Sequence, residues 1–267
     1  MVYKYVELQE NKIKNIRKQT LTADYPLDAD LLEICEGFPT HNFLQNPAGQ
    51  NVYLYLTQHV KTVSEYHFDK SIDQLKILDW GSGKGHVTFL LRKLGASPVS
   101  CDVRDAAGNF NYGQAMPIVQ YANIAIEPLE HEYILPFESA SLDVVLSFGV
   151  LEHVRHDFES LKEIHRVLSS RGLFFCFNLP YCFSWTQRLA HLRGNYYHDR
   201  LYRKGQVRQL LQASQFDLLD LWHRQLLPKN SVRYPAYQLF ETIDQFLTEY
   251  TPLKYLATNI EFVAAKA

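Results

Sequence analysis

One short stretch constrains this chain more than any other: an apolar run, Leu75 to Trp80, breaks into Gly81-Ser82-Gly83-Lys84-Gly85, and a helical pattern begins at His86. Glycines let the backbone take conformations closed to other residues and approach a ligand where a side chain would obstruct it. Strand, glycine turn and helix in that order open a βαβ unit, and in an open parallel sheet such a turn lies at the carboxyl edge where ligands bind. The spacing narrows the ligand. A dinucleotide fingerprint requires GxGxxG, but here the third glycine arrives one residue early and His86 fills its place; the GxxxxGK[ST] of a P-loop is also absent.

The pattern around this turn repeats the alternation. His86 to Leu94 reads as a helix ended by Gly95, and Pro98 to Val103 as a second strand. A strand is expected around Ile118 to Ile124, in a stretch interrupted by Gly108, Gly113, Pro117 and Pro128. Leu142 to Phe148 is another apolar run, followed by Phe158, Leu161, Ile164, His165 and Leu168 at helical spacing, then Gly172 and a strand from Leu173 to Leu179. A short helix over Val207 to Leu211 and strands over Phe216 to Trp222 and Ile260 to Ala265 complete the series. The expected fold is α/β: a doubly wound, mostly parallel, seven-stranded sheet with helices on both faces.

Two segments stand outside this alternation. Residues 1 to about 40 carry charges in no clear period, and Asn46-Pro47 then opens an amphipathic helix through Val52, Leu56, Val60 and Val63. Residues 1–70 therefore read as a helical extension, a candidate lid, ahead of a main domain over residues 71–267. Residues 181–206, rich in aromatic, basic and histidine side chains, read as an insertion over the carboxyl edge of the sheet.

With 267 residues, 46% apolar, the chain can bury a substantial core, and its formal charge of -2 gives no basic excess, so nucleic acid is not an expected partner. Cys35, Cys101, Cys176 and Cys182 form no CxxC pair, which disfavours a zinc cluster or disulfide framework. The start does not resemble a signal peptide, and no run reaches the roughly 18 apolar residues of a spanning helix. A cytoplasmic protein is expected, with peripheral membrane contact left open. Leu226 to Pro235, mixing apolar and basic groups, is a candidate contact for a lipid-linked acceptor. Oligomeric state is not set by these features.

Ile77-Leu78-Asp79-Trp80-Gly81-Ser82-Gly83-Lys84-Gly85 resembles motif I of the class I S-adenosylmethionine-dependent methyltransferases, of the type 11/12 kind. Three further segments carry the same resemblance in order: Val99-Ser100-Cys101-Asp102-Val103; Leu135-Pro136-Phe137 leading to Leu142-Asp143-Val144-Val145; and Ser147-Phe148-Gly149-Val150-Leu151-Glu152-His153-Val154. It spans roughly residues 75 to 180. The resemblance implies a Rossmann-like fold, S-adenosylmethionine as cofactor, and cofactor contacts from Asp79, Gly81, Ser82, Gly83, Gly85, Asp102, Val103 and Phe148. The family's acid at the position of Asp102 accepts hydrogen bonds from both ribose hydroxyls, a task suited to an acceptor-only carboxylate. The acid that binds the adenine amino group has no clean counterpart: counting back from Leu135 lands on His131, with Glu132 beside it, and both are candidates.

Methyl transfer is an in-line displacement on an already activated sulfonium, so a protein mainly aligns acceptor and methyl group. For a hydroxyl acceptor, His153 and His198 are candidate bases, because imidazole titrates near neutrality. Some relatives, ubiquinone-pathway O-methyltransferases and the plant small-RNA methyltransferase among them, bind magnesium through Glu-x-x-Glu-His. Gly149 stands where the first of those glutamates would be, and no metal is expected. Tyr196, Tyr197 and Arg200, within the insertion, are candidate substrate contacts. The expected reaction is methylation of a small-molecule, saccharide or lipid-linked acceptor, oxygen preferred. A non-catalytic S-adenosylmethionine-binding sensor or partner subunit is the alternative.

Overall fold

The computed structural model describes residues 2–23, 25–38, 42–103, 116–194, 198, 200–229 and 232–267. Seven strands form one sheet: β1 (Ile77–Trp80), β2 (Val99–Val103), β3 (Ile126–Leu129), β4 (Leu142–Phe148), β5 (Leu168–Pro180), β6 (Phe216–Arg224) and β7 (Asn259–Lys266), in the order β3-β2-β1-β4-β5-β7-β6. Pairings from β3 through β5 are parallel, and β7 is antiparallel to both β5 and β6. The doubly wound, mostly parallel Rossmann-like sheet is therefore as expected. The chain order reverses direction between β1 and β4, and the switch point lies beside the glycine turn.

Strand residues alternate between two cores. Ile77, Val144, Leu146, Leu173, Phe175 and Val263 face one, while Leu78, Val145, Phe174, Cys176 and Phe262 face the other. With period 2 and both faces covered, the central strands must be apolar throughout, as they are. On the first face pack α1 (Val2–Thr22), α4 (Pro47–Phe68), α5 (His86–Lys93) and α6 (Pro117–Tyr121); on the second, α7 (Asp157–Val167) and α9 (Lys204–Ala213).

α4 starts where the sequence indicates. The Asn46 side chain accepts from Ala48 N at 3.3 Å and Pro47 occupies the first turn, where a missing N–H costs nothing. The short α3 (Asn42–Gln45) runs against it, and at Gly49 a Cβ would stand 2.2 Å from Phe43 O, so only glycine permits this approach.

Three details differ from the sequence reading. Residues 118–124 hold no strand: Pro117 begins the helix α6, Ile118 and Val119 bury against the sheet, and β3 follows at Ile126–Leu129. Pro128 is tolerated there because β3 is an edge strand. The unpatterned amino terminus is α1, a 21-residue helix, preceding the six-residue α2 (Ala29–Ile34). Its buried side includes Arg17 and Thr20 beside Ile13 and Ile16, and these polar members hide the period. The segment 181–206 holds α8 (Trp185–Leu192), capped by Ser184 Oγ accepting from Gln187 N at 3.2 Å, and is fastened by a bridge between Tyr181 and Tyr202. After β6 come α10 (Tyr237–Tyr250) and a 3-10 turn, Pro252–Leu256, before β7.

Candidate functional site

The turn after β1 is held by β2. Gly81 N and Ser82 N both donate to Cys101 O, at 2.9 and 3.0 Å. Gly81 has φ +71°, and a Cβ there would lie 2.5 Å from Val150 Cγ2; Gly85 has φ +78° and its Cβ would lie 2.8 Å from Val119 Cγ2. Both positions therefore exclude any side chain, and the turn stays thin between two cavities.

One cavity, of about 410 Å³, is lined by residues that include Trp80, Asp102, Val103, Leu129, Glu132 and His153. The other, of about 340 Å³, is lined by residues that include Phe43, Tyr53, Asp79, Ser82, Lys84 and Phe148. Gly81, Gly83 and Gly149 border both. Each is within the ligand-pocket range of about 300–1,000 Å³.

Asp102 ends β2 at the first cavity. Its Oδ2 accepts from Gly83 N at 2.7 Å and its Oδ1 from Val103 N at 2.8 Å, and each oxygen keeps a lone pair for a hydroxyl. Burial raises its pKa against these two N–H donors. Asp79 is 1% exposed; its Oδ2 accepts from Thr88 Oγ1 at 2.7 Å, and Thr88 Oγ1 lies 2.7 Å from Ser100 Oγ. Burial pushes the Asp79 pKa up to about 7, the Asp102 charge adding to it. Ser82 Oγ is buried with no hydrogen-bond partner among the described residues. A buried hydroxyl in that state is suited to a ligand's polar group.

Phe148 stacks on Tyr53 with centroids 6.3 Å apart, and Lys84 Nζ lies 4.8 Å from the Phe43 ring. Tyr53, Phe43 and Lys84 are not marked as site residues by the sequence. The two aromatics belong to helices that precede the motif, and Tyr53 looks like any apolar-face residue of α4. Lys84 passes for a spacer between glycines.

Beyond β4, Glu152 is 2% exposed, with His153 Nε2 at 3.8 Å and His198 Nδ1 at 3.7 Å from its Oε1. The two imidazoles, 45 residues apart in sequence, have ring centroids 5.7 Å apart. One ligand atom from each of the three lies within 4.8 Å of the others, so the trio could hold a cation. Two nitrogens and one oxygen suit a borderline ion such as zinc better than magnesium.

The remaining predicted residues fall differently. Glu132 reaches the first cavity and accepts from His156 N at 2.8 Å, whereas His131 is exposed with its ring stacked on Tyr133 at 5.8 Å. Arg200 pairs with Asp157 at 2.5 Å and donates to Arg155 O at 3.1 Å, tying the insertion to the segment after β4. Tyr196 and Tyr197 lie outside the described residues.

A seven-stranded sheet of this order, with a glycine turn and a strand-end acid at its switch point, defines the class of Rossmann-like nucleoside-binding domains. Residues 78–176 match the family model described as a methyltransferase domain. Residues 78–176 thus form the S-adenosylmethionine-dependent methyltransferase domain of this chain, with S-adenosylmethionine as the cofactor.

Among solved structures, a candidate sarcosine dimethylglycine methyltransferase from Galdieria sulphuraria is similar at 18% identity and TM-score 0.56, covering 82% of this chain and 86% of that one. A candidate histamine N-methyltransferase from Thermotoga maritima is similar at 12% identity and TM-score 0.52, covering 88% and 100%. A S-adenosylmethionine-dependent methyltransferase from Archaeoglobus fulgidus shares 15% identity with TM-score 0.50, covering 79% and 94%. At these identities the likeness is one of fold. No curated protein matches the sequence.

The residues present fit the cofactor. The two glycine positions that exclude a Cβ, the strand-end carboxylate and the unpartnered Ser82 hydroxyl surround paired cavities that could hold a nucleoside on one side and an amino-acid moiety on the other. No helix among the described residues is long and apolar enough to cross a membrane.

Proposed function

We propose that this protein methylates an oxygen of a small-molecule, saccharide or lipid-linked acceptor, with the Glu152–His153–His198 trio taking the acceptor's proton. The observation that supports this reading is a buried carboxylate within 4 Å of two imidazoles, one of which lines the cavity shared with Asp102. A carboxylate beside an imidazole orients it and stabilises its protonated form, the arrangement a general base near neutral pH requires.

In this reading Asp102 holds the ribose hydroxyls and Glu132 or His131 the adenine edge. Asp79, Gly81, Ser82, Gly83, Gly85, Val103 and Phe148 shape the rest of the cofactor's bed. S-adenosylmethionine supplies an activated methyl group; the protein's share is alignment and exclusion of water. Phe43 and Tyr53, on α3 and α4, form the wall by which residues 1–70 act as a lid. Arg200 fixes the insertion that carries His198, with Tyr196 and Tyr197 contributing to the acceptor side. The trio works as a proton relay without a metal.

Two measurements test the reading. Transfer of labelled methyl groups is followed over a pool of alcohol and amine acceptors, with and without a chelator. Product on alcohols, unchanged by chelation and reduced about 10²-fold or more by His153→Ala, is expected. Product on amines alone removes the oxygen preference, and activity lost to the chelator and restored by zinc removes the metal-free relay. Binding of S-adenosylmethionine with no transfer to any acceptor favours a sensor or partner subunit.

A further inference from the structure

α10 is amphipathic in the inverse sense. Its buried side is polar: Glu241, Asp244 and Thr248 face inward. Asp244 Oδ1 accepts from Leu226 N and Leu227 N at 2.8 Å, and Lys229 Nζ lies 2.5 Å from Glu241 and 2.8 Å from Asp244. Its outer side, which also carries Gln238 and Thr242, is mainly apolar. Leu239, Ile243, Phe246 and Tyr250, spaced as one helical stripe, are 59%, 40%, 58% and 67% exposed, and Leu253, Tyr255 and Leu256 of the following turn continue the stripe. A helix that spends its charged residues inward and displays leucine and aromatic side chains outward is built to be covered.

Charge indicates what covers it. Of the three acids of residues 237–256, Glu241 and Asp244 pair with Lys229, and Glu249 pairs with both Arg17 and Lys18. The cations lie against its aromatic rings, Lys254 Nζ 5.6 Å from the Tyr255 centroid and Lys18 Nζ 5.7 Å from that of Tyr250. Apolar and aromatic residues flanked by lysines, with every acid of residues 237–256 already paired to a cation, match the boundary of an anionic bilayer.

We propose that the outer face of α10 and the turn Pro252–Leu256 docks on an anionic membrane surface. Docking does not depend on the acceptor reading, but it favours the lipid-linked class among the acceptors proposed above. Beside α10 lies a cavity of about 220 Å³, with Tyr55, Arg224, Phe246 and Tyr250 among its walls. Arg224 Nη2 donates to Asn178 Oδ1 at 2.7 Å, and Asn178 stands beside Gly149 of the cofactor site.

The test is cosedimentation of the whole protein with phosphatidylcholine vesicles, with and without phosphatidylserine, beside calorimetry with S-adenosylmethionine. Binding to the serine-containing vesicles, weakened by salt, is expected. L239E/I243E should lower partitioning about tenfold or more while cofactor binding is unchanged, and Lys254→Glu should lower it less. The wild type remaining in the supernatant, or partitioning equally well after either substitution, overturns the proposal. So does elution as a dimer that L239E/I243E converts to monomer. Vesicle binding without cofactor binding would instead retain the docking surface and count against the fit of the cofactor site.

Discussion

At the glycine turn, the buried Asp79 and the half-buried Asp102 are held by neutral donors: the Thr88 hydroxyl for one, the Gly83 and Val103 N–H groups for the other. Across the sheet, around β6, β7 and α10, each buried acid faces a cation. Asp220 meets Arg17 at 2.7 Å, Asp244 meets Lys229 at 2.8 Å, and Glu261 pairs with Arg224. The two regions use their acids to different ends. A carboxyl group held by neutral donors keeps acceptor capacity for an incoming ligand, whereas a carboxylate in an ion pair has spent its charge on holding helices to the sheet.

The comparison breaks most visibly at Lys229, which is 3% exposed between two acids. Lys229→Met leaves Glu241 and Asp244 buried without their cation. A loss of about 3–5 kcal/mol in urea unfolding is expected, the cost of breaking a buried pair from one side. A loss under about 1 kcal/mol would show that α10 is held by something other than this charge.

Asp79 tests the other region through pH. Its folded pKa, raised to about 7, lies above the value of about 3.9 for an unfolded aspartate. Between those values the folded state keeps a proton that the unfolded state has lost, so stability falls as pH rises from about 4 to about 7 and then levels. This is the reverse of an aspartate in a salt bridge. The predicted fall amounts to a few kcal/mol at most, at about 1.4 kcal/mol per unit of pKa. Unfolding midpoints of wild type and Asp79→Asn should converge at low pH and separate near neutrality, and parallel curves would refute the assignment.

The two regions also differed in how far the sequence disclosed them. Motif residues lie consecutively at strand ends, so the turn, Asp102 and the β4 segment could be placed by counting, and Gly81 at φ +71° shows why no other residue serves there. Nothing local marks the counter-region. Arg17 occupies a core position of α1, and the polar residues of α10 face inward, so periodicity pointed to no core face in the first and inverts the faces of the second. In residues 118–124, Ile118 and Val119 look like strand residues, but Pro117 fixes a helical first turn. Tyr53, Phe43 and the meeting of His198 with Glu152 are products of tertiary folding and carry no spacing signal.

A smaller effect separates open from spent within the cofactor region itself. Asp102→Ala should weaken S-adenosylmethionine binding by about 1–3 kcal/mol in calorimetry, the cost of hydroxyls left without their acceptor. Because Gly83 N and Val103 N would also lose a partner, Asp102→Asn serves as a control that keeps the shape and an acceptor oxygen. Equal affinity in wild type and Asp102→Ala would mean that this carboxylate, like those across the sheet, only ties backbone together.

The smallest expected difference concerns the adenine edge, where sequence counting lands on His131 and the cavity is lined by Glu132. His131 is exposed and stacked on Tyr133, and surface substitutions of this kind stay within about 0.5 kcal/mol. His131→Ala should therefore leave cofactor affinity nearly unchanged. Glu132 already accepts from His156 N through Oε1, so its other oxygen is the one available to an amino group. Glu132→Gln, which keeps the first contact, should cost about 1 kcal/mol, the net worth of one hydrogen bond. A larger loss from His131→Ala than from Glu132→Gln would reverse the assignment and place the nucleobase on the Tyr133 side of the turn.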